Sequence, residues 1–264
     1  MVNQEPIIAL KGVSKAFDSL VVLDNVDLAI LPGQTTVVIG PSGSGKSVLL
    51  KHIVGLMKPD KGRVMFEGQN ITKMHERKLA KIRTHFGFLF QGAALFDSMT
   101  VGENVAFPLE EHEVGTRVDR IERVNDVLAM VGLEDLQHRY PEELSGGQKK
   151  RVALARAIVL NPKVILYDEP TTGLDPIRAD LINELIIRLQ RTLNVTSVVV
   201  THDIASARKV ADRIVMLYKG KFIADAAPDN LESIQNEVVR NFVEGRASEE
   251  ELKELDRGSD PNRR

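Results

Sequence analysis

Apolar and polar positions alternate in part over residues 7–13 and 21–30, which predicts two strands, the second closed by the turn Leu31-Pro32-Gly33. Residues 35–39 form a short β-branched run that flows into the glycine-rich stretch 40–45. Residues 47–56 then carry apolar positions at helical spacing, so strand, loop and helix follow in that order. Residues 62–66, with the turn Glu67-Gly68, predict a further strand, residues 76–83 a polar helix, and residues 86–90 a buried strand ending at Gln91. From about residue 92 to 160 the β-branched runs vanish, while residues 117–131 and 147–159 show helical periodicity, so a helical insertion is expected there. Sheet signals resume at 164–167. A long amphipathic helix (177–193), a β-branched strand (196–201), a helix (204–211) and two strands (213–217, 221–224) follow. Strands alternating with helices predict an α/β fold with a mostly parallel, helix-covered sheet and an antiparallel edge. One domain is expected over residues 1–245, and a charged, partly disordered extension over 246–264, whose last part reads as a mobile tail. No internal repeat is visible.

Composition narrows the picture. A chain of 264 residues with 43% hydrophobic content can bury an ordinary core. The formal net charge of -2 points to no nucleic-acid partner. The absence of cysteine excludes disulfides and Cys-ligated metals, and fits a reducing compartment. Residues 1–9 lack the pattern of a signal peptide. No stretch approaches the roughly 18 apolar residues of a membrane span, so work at a membrane would need another chain to supply that part.

Gly40-Pro41-Ser42-Gly43-Ser44-Gly45-Lys46-Ser47 matches the phosphate-binding loop pattern in full, between a predicted strand and a predicted helix. Glycines permit a tight loop whose N–H groups face phosphate oxygens, and the helix N-terminus adds partial positive charge. Lys46 can reach the β- and γ-phosphates, and the Ser47 hydroxyl can ligate magnesium. A second cue is the apolar run 164–167 ending in Asp168-Glu169, since open parallel sheets bind ligands at the carboxyl ends of strands. Asp168 is expected to hold magnesium. Glu169, pointing the other way along an extended chain, is expected to orient or deprotonate the attacking water.

Leu144-Ser145-Gly146-Gly147-Gln148, opening a basic helix, resembles the signature motif of ATP-binding-cassette (ABC) proteins. The resemblance covers about residues 7 to 227. It implies an ABC nucleotide-binding domain with a RecA-like P-loop core, and an ATPase that binds ATP and Mg2+. It also implies a homodimer in which Ser145, Gly146, Gly147 and Gln148 complete the partner's site. It further implies that Phe17 stacks on adenine, that Val48 joins the loop residues around ATP, and that Gln91 touches magnesium and water. Asp175, in Gly173-Leu174-Asp175, lies in a loop that crosses between subunits, and His202 contacts the γ-phosphate. Taken singly, these residues have blander readings: a core Phe, a structural His, an N-cap Asp before Pro176, an N-cap Ser145.

The segment from Phe88 to Leu109 further resembles ATPases of the maintenance-of-lipid-asymmetry type, as does Asn241-Phe242-Val243-Glu244-Gly245. That implies phospholipid transport between two membranes and a location at the cytoplasmic face of the inner membrane. The implied partners are a multispanning permease, a mammalian-cell-entry (MCE) lipid-binding protein and a STAS-domain protein. Leu95, Phe96 and Met99 would either meet a permease helix or seat the helical insertion on the sheet. ATPases for amino-acid or organic-solvent transport share the same motifs. A cassette for DNA repair or translation would bring a second cassette, a long coiled coil or a basic surface, none of which is visible.

Overall fold

The computed structural model describes residues 5–247. Strands β1 (Ile8–Phe17) and β2 (Leu20–Ile30) form a hairpin, followed by β3 (Thr35–Ile39), helix α1 (Lys46–Ile53), β4 (Lys61–Phe66), β5 (Gln69–Asn70), α2 (Glu76–Arg83) and β6 (Phe86–Leu89). Between β6 and β7 (Val164–Asp168) the regular elements are helical: α3 (Val101–Glu111), α4 (Arg117–Met130), a 3-10 turn (Pro141–Glu143) and α5 (Gly146–Ile158). Then come α6 (Pro176–Leu193), β8 (Thr196–Thr201), α7 (Ile204–Val210), β9 (Arg213–Tyr218), β10 (Lys221–Ala226), a 3-10 turn (Pro228–Ser233) and α8 (Glu237–Glu244). Residues 248–264, where the mobile tail was expected, lie outside the described residues. Among the described residues no helix is long and apolar enough to cross a membrane.

Six strands form the main sheet in the order β10-β9-β3-β8-β7-β6, all parallel except the antiparallel β10. Their residues alternate between two buried faces. Val37, Ile39, Ile165, Tyr167 and Val199 join the core built with α3 to α8, whereas Val38, Val164, Leu166, Val198 and Val200 join the core built with α1, α2 and the second sheet. A strand buried on both sides shows no polar face, which is why β3, β7 and β8 read as continuous apolar runs. The second sheet, β2-β1-β4-β5, is antiparallel and closes that other face.

Two differences from the sequence-based reading have local causes. β1 runs to Phe17 rather than ending near residue 13, because register shifts between Leu10 and Val13 and between Val13 and Lys15 interrupt its alternation. α3 was not read as a separate helix, although Thr100 and Glu103 form a capping box at its start; Gly102 and Pro108 dilute its helical pattern.

Helix α5 lies directly on β6. A Cβ on Gly87 would stand 2.4 Å from the Ala157 carbonyl oxygen, so this contact requires glycine. Gly87→Ala is expected to cost about 1–3 kcal/mol through forced backbone displacement. A thermal melt checks this: an unchanged Tm would mean the helix and strand yield freely.

Candidate functional site

Parallel strands deliver their carboxyl ends to one edge of a sheet, and that edge gathers the candidate residues. Gly40 follows β3, Gln91 lies beyond β6, Asp168 ends β7 with Glu169 after it, and His202 follows β8. The loop 40–47 owes its path to close approaches. A Cβ on Gly40 would meet the Leu217 carbonyl oxygen of β9 at 2.3 Å, and one on Gly45 would meet the Val22 side chain of β2 at 2.9 Å. Gly45 adopts φ 101° and so lets the β1–β2 hairpin press against the loop at Val22.

Lys46 is buried and turned back on its own loop. Its Nζ donates to the carbonyls of Gly40 (2.8 Å) and Pro41 (3.1 Å) and stands 3.5 Å from Glu169 Oε1. Burial holds the Lys46 ammonium below the ordinary lysine range, against the opposing pull of Glu169 and Asp168. Ser47 Oγ donates to Asp168 Oδ1 at 2.8 Å, joining the loop to the end of β7. Burial raises the Asp168 carboxyl above its usual range, with the Ser47 hydrogen bond opposing.

Glu169 corrects one expectation. It was read as continuing the extended strand, but its φ of 50° is left-handed. The strand has ended at Asp168, so the two carboxylates diverge through a backbone turn and not through strand alternation. Its Oε2 accepts from Thr201 Oγ1 (3.2 Å), Thr172 Oγ1 (3.3 Å) and the His202 backbone N–H (3.4 Å), with His202 Nδ1 at 2.9 Å. That last contact makes Nδ1 the protonated nitrogen, leaving Nε2 on an imidazole whose side chain is 52% exposed.

The other candidates divide by place. Ser42 and Gly43 are exposed on the loop's rim, and the buried Ser44 Oγ has no hydrogen-bond partner among the described residues. Val48 packs its side chain on the core, so a nucleotide contact there falls to its backbone. Phe17 is 42% exposed, with Lys15 Nζ 5.4 Å from its ring centroid. Ser145 caps α5 by accepting from Gln148 N, while Gln148 Oε1 accepts from Ser145 N. Added Cβ atoms on Gly146 and Gly147 would contact only Leu174 and Arg178, not the loop 40–47. Asp175 caps α6 by accepting from Arg178 N. Leu95 packs against the core, whereas Phe96 is 40% exposed and leans on Phe107.

Sequence reasoning missed the residues that hold Glu169 from behind. Thr201 and Thr172 gave no signal beyond their nearness to the motifs. Lys150, which the sequence showed only as part of a basic helix, is buried and donates to the carbonyls of Gln91 (3.3 Å) and Glu169 (3.2 Å).

A polyphosphate with a hard cation fits this edge. The orphaned Ser44 hydroxyl, the Lys46 ammonium at the loop and the first-turn N–H groups of α1 are donors gathered where a polyphosphate would lie. Ser47 and Asp168 offer oxygen ligands. Among the described residues no group of three or more His, Asp or Glu lies together.

Residues 23–172, more than half of the chain, match the family model described as ABC transporter. The protein mkl of Mycobacterium tuberculosis, named as a "probable ribonucleotide transport ATP-binding protein", is 41% identical over 239 residues, covering 90% of this chain and 67% of mkl. The intermembrane phospholipid transport system ATP-binding protein MlaF of Haemophilus influenzae is 39% identical over 239 residues, covering 90% of each chain. Among solved structures, the dimer of the ATP-binding cassette MJ0796 in a post-hydrolysis state with ADP and Pi gives a TM-score of 0.77 at 37% identity, covering 84% of this chain and 98% of that one.

Proposed function

This chain belongs to the ABC transporter family and is an ATPase that uses ATP with Mg2+, and on that footing we propose that two copies pair head-to-tail to drive a permease that moves phospholipid. In this reading Lys46 and the amides of the loop hold the β- and γ-phosphates, and Phe17 stacks on adenine. Ser47, Asp168 and Gln91 hold Mg2+, which when bound neutralises phosphate charge. Glu169 orients the attacking water and takes its proton, with His202 beside it facing the γ-phosphate through Nε2. Ser145 to Gln148 and Asp175 serve the site of the opposite copy.

The observation that carries pairing is the glycine pair at the start of α5. Among the described residues nothing stands closer than 3.7 Å to a Cβ added at Gly146 or Gly147, so no steric need for glycine is visible there. Alanine would favour the helix. What glycine leaves at the exposed Gly146, beside the buried Gly147, is bare backbone at a helix N-terminus that an anion brought by another molecule can approach.

Phospholipid as cargo is supported by the 39% identity to MlaF over 90% of both chains, together with the resemblance carried by residues 88–109. Docking of a permease helix is supported by a groove of about 490 Å³ beside β6, lined by Phe88, Phe90, Ala94, Phe96, Phe107 and Arg156. Two aromatic rings there remain partly exposed, Phe90 at 37% and Phe96 at 40%, and an apolar groove of this kind suits an amphipathic helix. The MCE and STAS-domain partners and the inner-membrane location belong to the same proposal.

Gentle detergent extraction from membranes tests it. The chain is expected to copurify with a multispanning protein carrying phospholipid, and Phe96→Glu to lose that association. A permease free of lipid, with ATP turnover stimulated by a ribonucleotide or an amino acid, would replace the cargo. Wild-type recovery of Phe96→Glu with the permease would discard the groove.

A further inference from the structure

Helix α5 reaches the catalytic edge through two cations that no motif assigns. Arg156 donates to the carbonyls of Ala93 (2.9 Å) and Ala94 (2.8 Å), residues held at φ 62° and 48°, and its guanidinium lies 5.9 Å from the Phe96 ring centroid. Lys150, only 6% exposed, spans the gap between the segments that leave β6 and β7. Its Nζ donates to the Gln91 carbonyl at 3.3 Å and the Glu169 carbonyl at 3.2 Å. Among the described residues no carboxylate lies within ion-pair distance of it. A buried ammonium held only by main-chain carbonyls is a costly choice for a helix that leucine or methionine could pack equally well. The two carbonyls it joins are those of the metal-side glutamine and the water-side carboxylate.

We propose that Lys150 is a positioning residue for hydrolysis, anchoring the backbone of Glu169 and Gln91 to helix α5. Glu169 sits in a left-handed conformation with its carbonyl turned to Lys150, while its side chain meets Lys46, Thr201 and His202. Fixing the peptide therefore fixes where the carboxylate points. The same helix begins at Ser145-Gly146-Gly147, the end that meets the opposite copy, and Arg156 ties it to the loop beside the permease groove. A shift of α5 at either contact is thereby delivered to the water-activating group by one ammonium. This rests on the role proposed for Glu169.

The test compares Lys150→Met, Lys150→Gln and Lys150→Arg in the full chain, following kcat and KM for ATP, affinity for a non-hydrolysable ATP analogue, and Tm. Lys150→Met is expected to lose on the order of tenfold to a hundredfold in kcat, as a small displacement of a reacting group does, while KM and analogue affinity stay within about twofold. Lys150→Arg, which keeps several donors, is expected to recover most of the rate. Lys150→Gln covers the case in which the methionine variant does not fold, and is expected to show the same kcat loss in milder form. Wild-type kcat in Lys150→Gln, or equal losses in kcat, affinity and Tm for all three variants, would overturn the proposal. Adding Lys150→Met to Glu169→Gln is expected to cost nothing further, because both act through one carboxylate. Fully additive losses would also overturn it. Normal turnover in Glu169→Gln alone would defeat the reading of Glu169, a result distinguishable from any result at Lys150.

Discussion

Replacing Glu169 by glutamine is expected to leave ATP bound and nearly stop its cleavage. The substitution keeps the side chain's shape and one oxygen able to accept from Thr201, Thr172 and the His202 backbone, so the loop around it should stay in place. What is lost is the negative charge and the proton acceptor. General-base catalysis contributes about 10²- to 10⁴-fold, so kcat should fall within that range. Affinity should hold or improve, because Lys46, 3.5 Å from Glu169 Oε1, no longer has an anion competing with phosphate. Since nucleotide leaves the paired state through hydrolysis, ATP should accumulate a dimer visible by size-exclusion chromatography. Turnover near the wild-type rate would remove Glu169 from the mechanism.

Mixing two inactive variants should restore activity. Lys46→Ala removes the cation from one cradle, and Gly147→Asp sets a negative side chain where the opposite copy's γ-phosphate would arrive. Each variant alone has both sites damaged and should lose on the order of 10²- to 10³-fold in rate, the scale of deleting a transition-state donor. In a mixed head-to-tail pair, both lesions fall on one site. The other joins the intact loop of the Gly147→Asp copy to the intact α5 start of the Lys46→Ala copy. Partial turnover in the mixture, absent from either variant alone, is the expected signature. Self-contained sites would give no rescue, since every copy would then be defective by itself. Gly147→Asp should still fold, because a Cβ at this buried position would meet nothing nearer than Arg178 Cδ at 3.7 Å and an acid favours a helix start.

Much of this edge was legible because its chemistry is written in consecutive residues. The loop 40–47, the pair Asp168-Glu169 and the string 144–148 are each short, and the parallel order of β3, β7 and β8 carries two of them to one edge by topology alone. Helix α6 and strands β3 and β8 were legible for a related reason, since burial on one stripe or on both faces leaves an unmistakable apolar pattern. Conformation at single residues was less accessible. Nothing in Tyr167-Asp168-Glu169-Pro170 announces that Glu169 turns left-handed, as the hydrogen bond from its N–H to the Val200 carbonyl is non-local. Lys150 was hidden for the opposite reason. Lysine is rarely buried, and only the arrival of Gln91 and Glu169 from distant strands gives its ammonium partners.

The folded-back Lys46 has a consequence for timing. One ammonium serves two clients, the carbonyls and carboxylate around it when it faces inward and an arriving phosphate when it turns away. Its three N–H donors are already divided among these groups, so a phosphate must draw at least one of them away. A phosphate that draws the ammonium outward would therefore release Glu169 Oε1 in the same movement, so that one displacement both grips the nucleotide and frees the base.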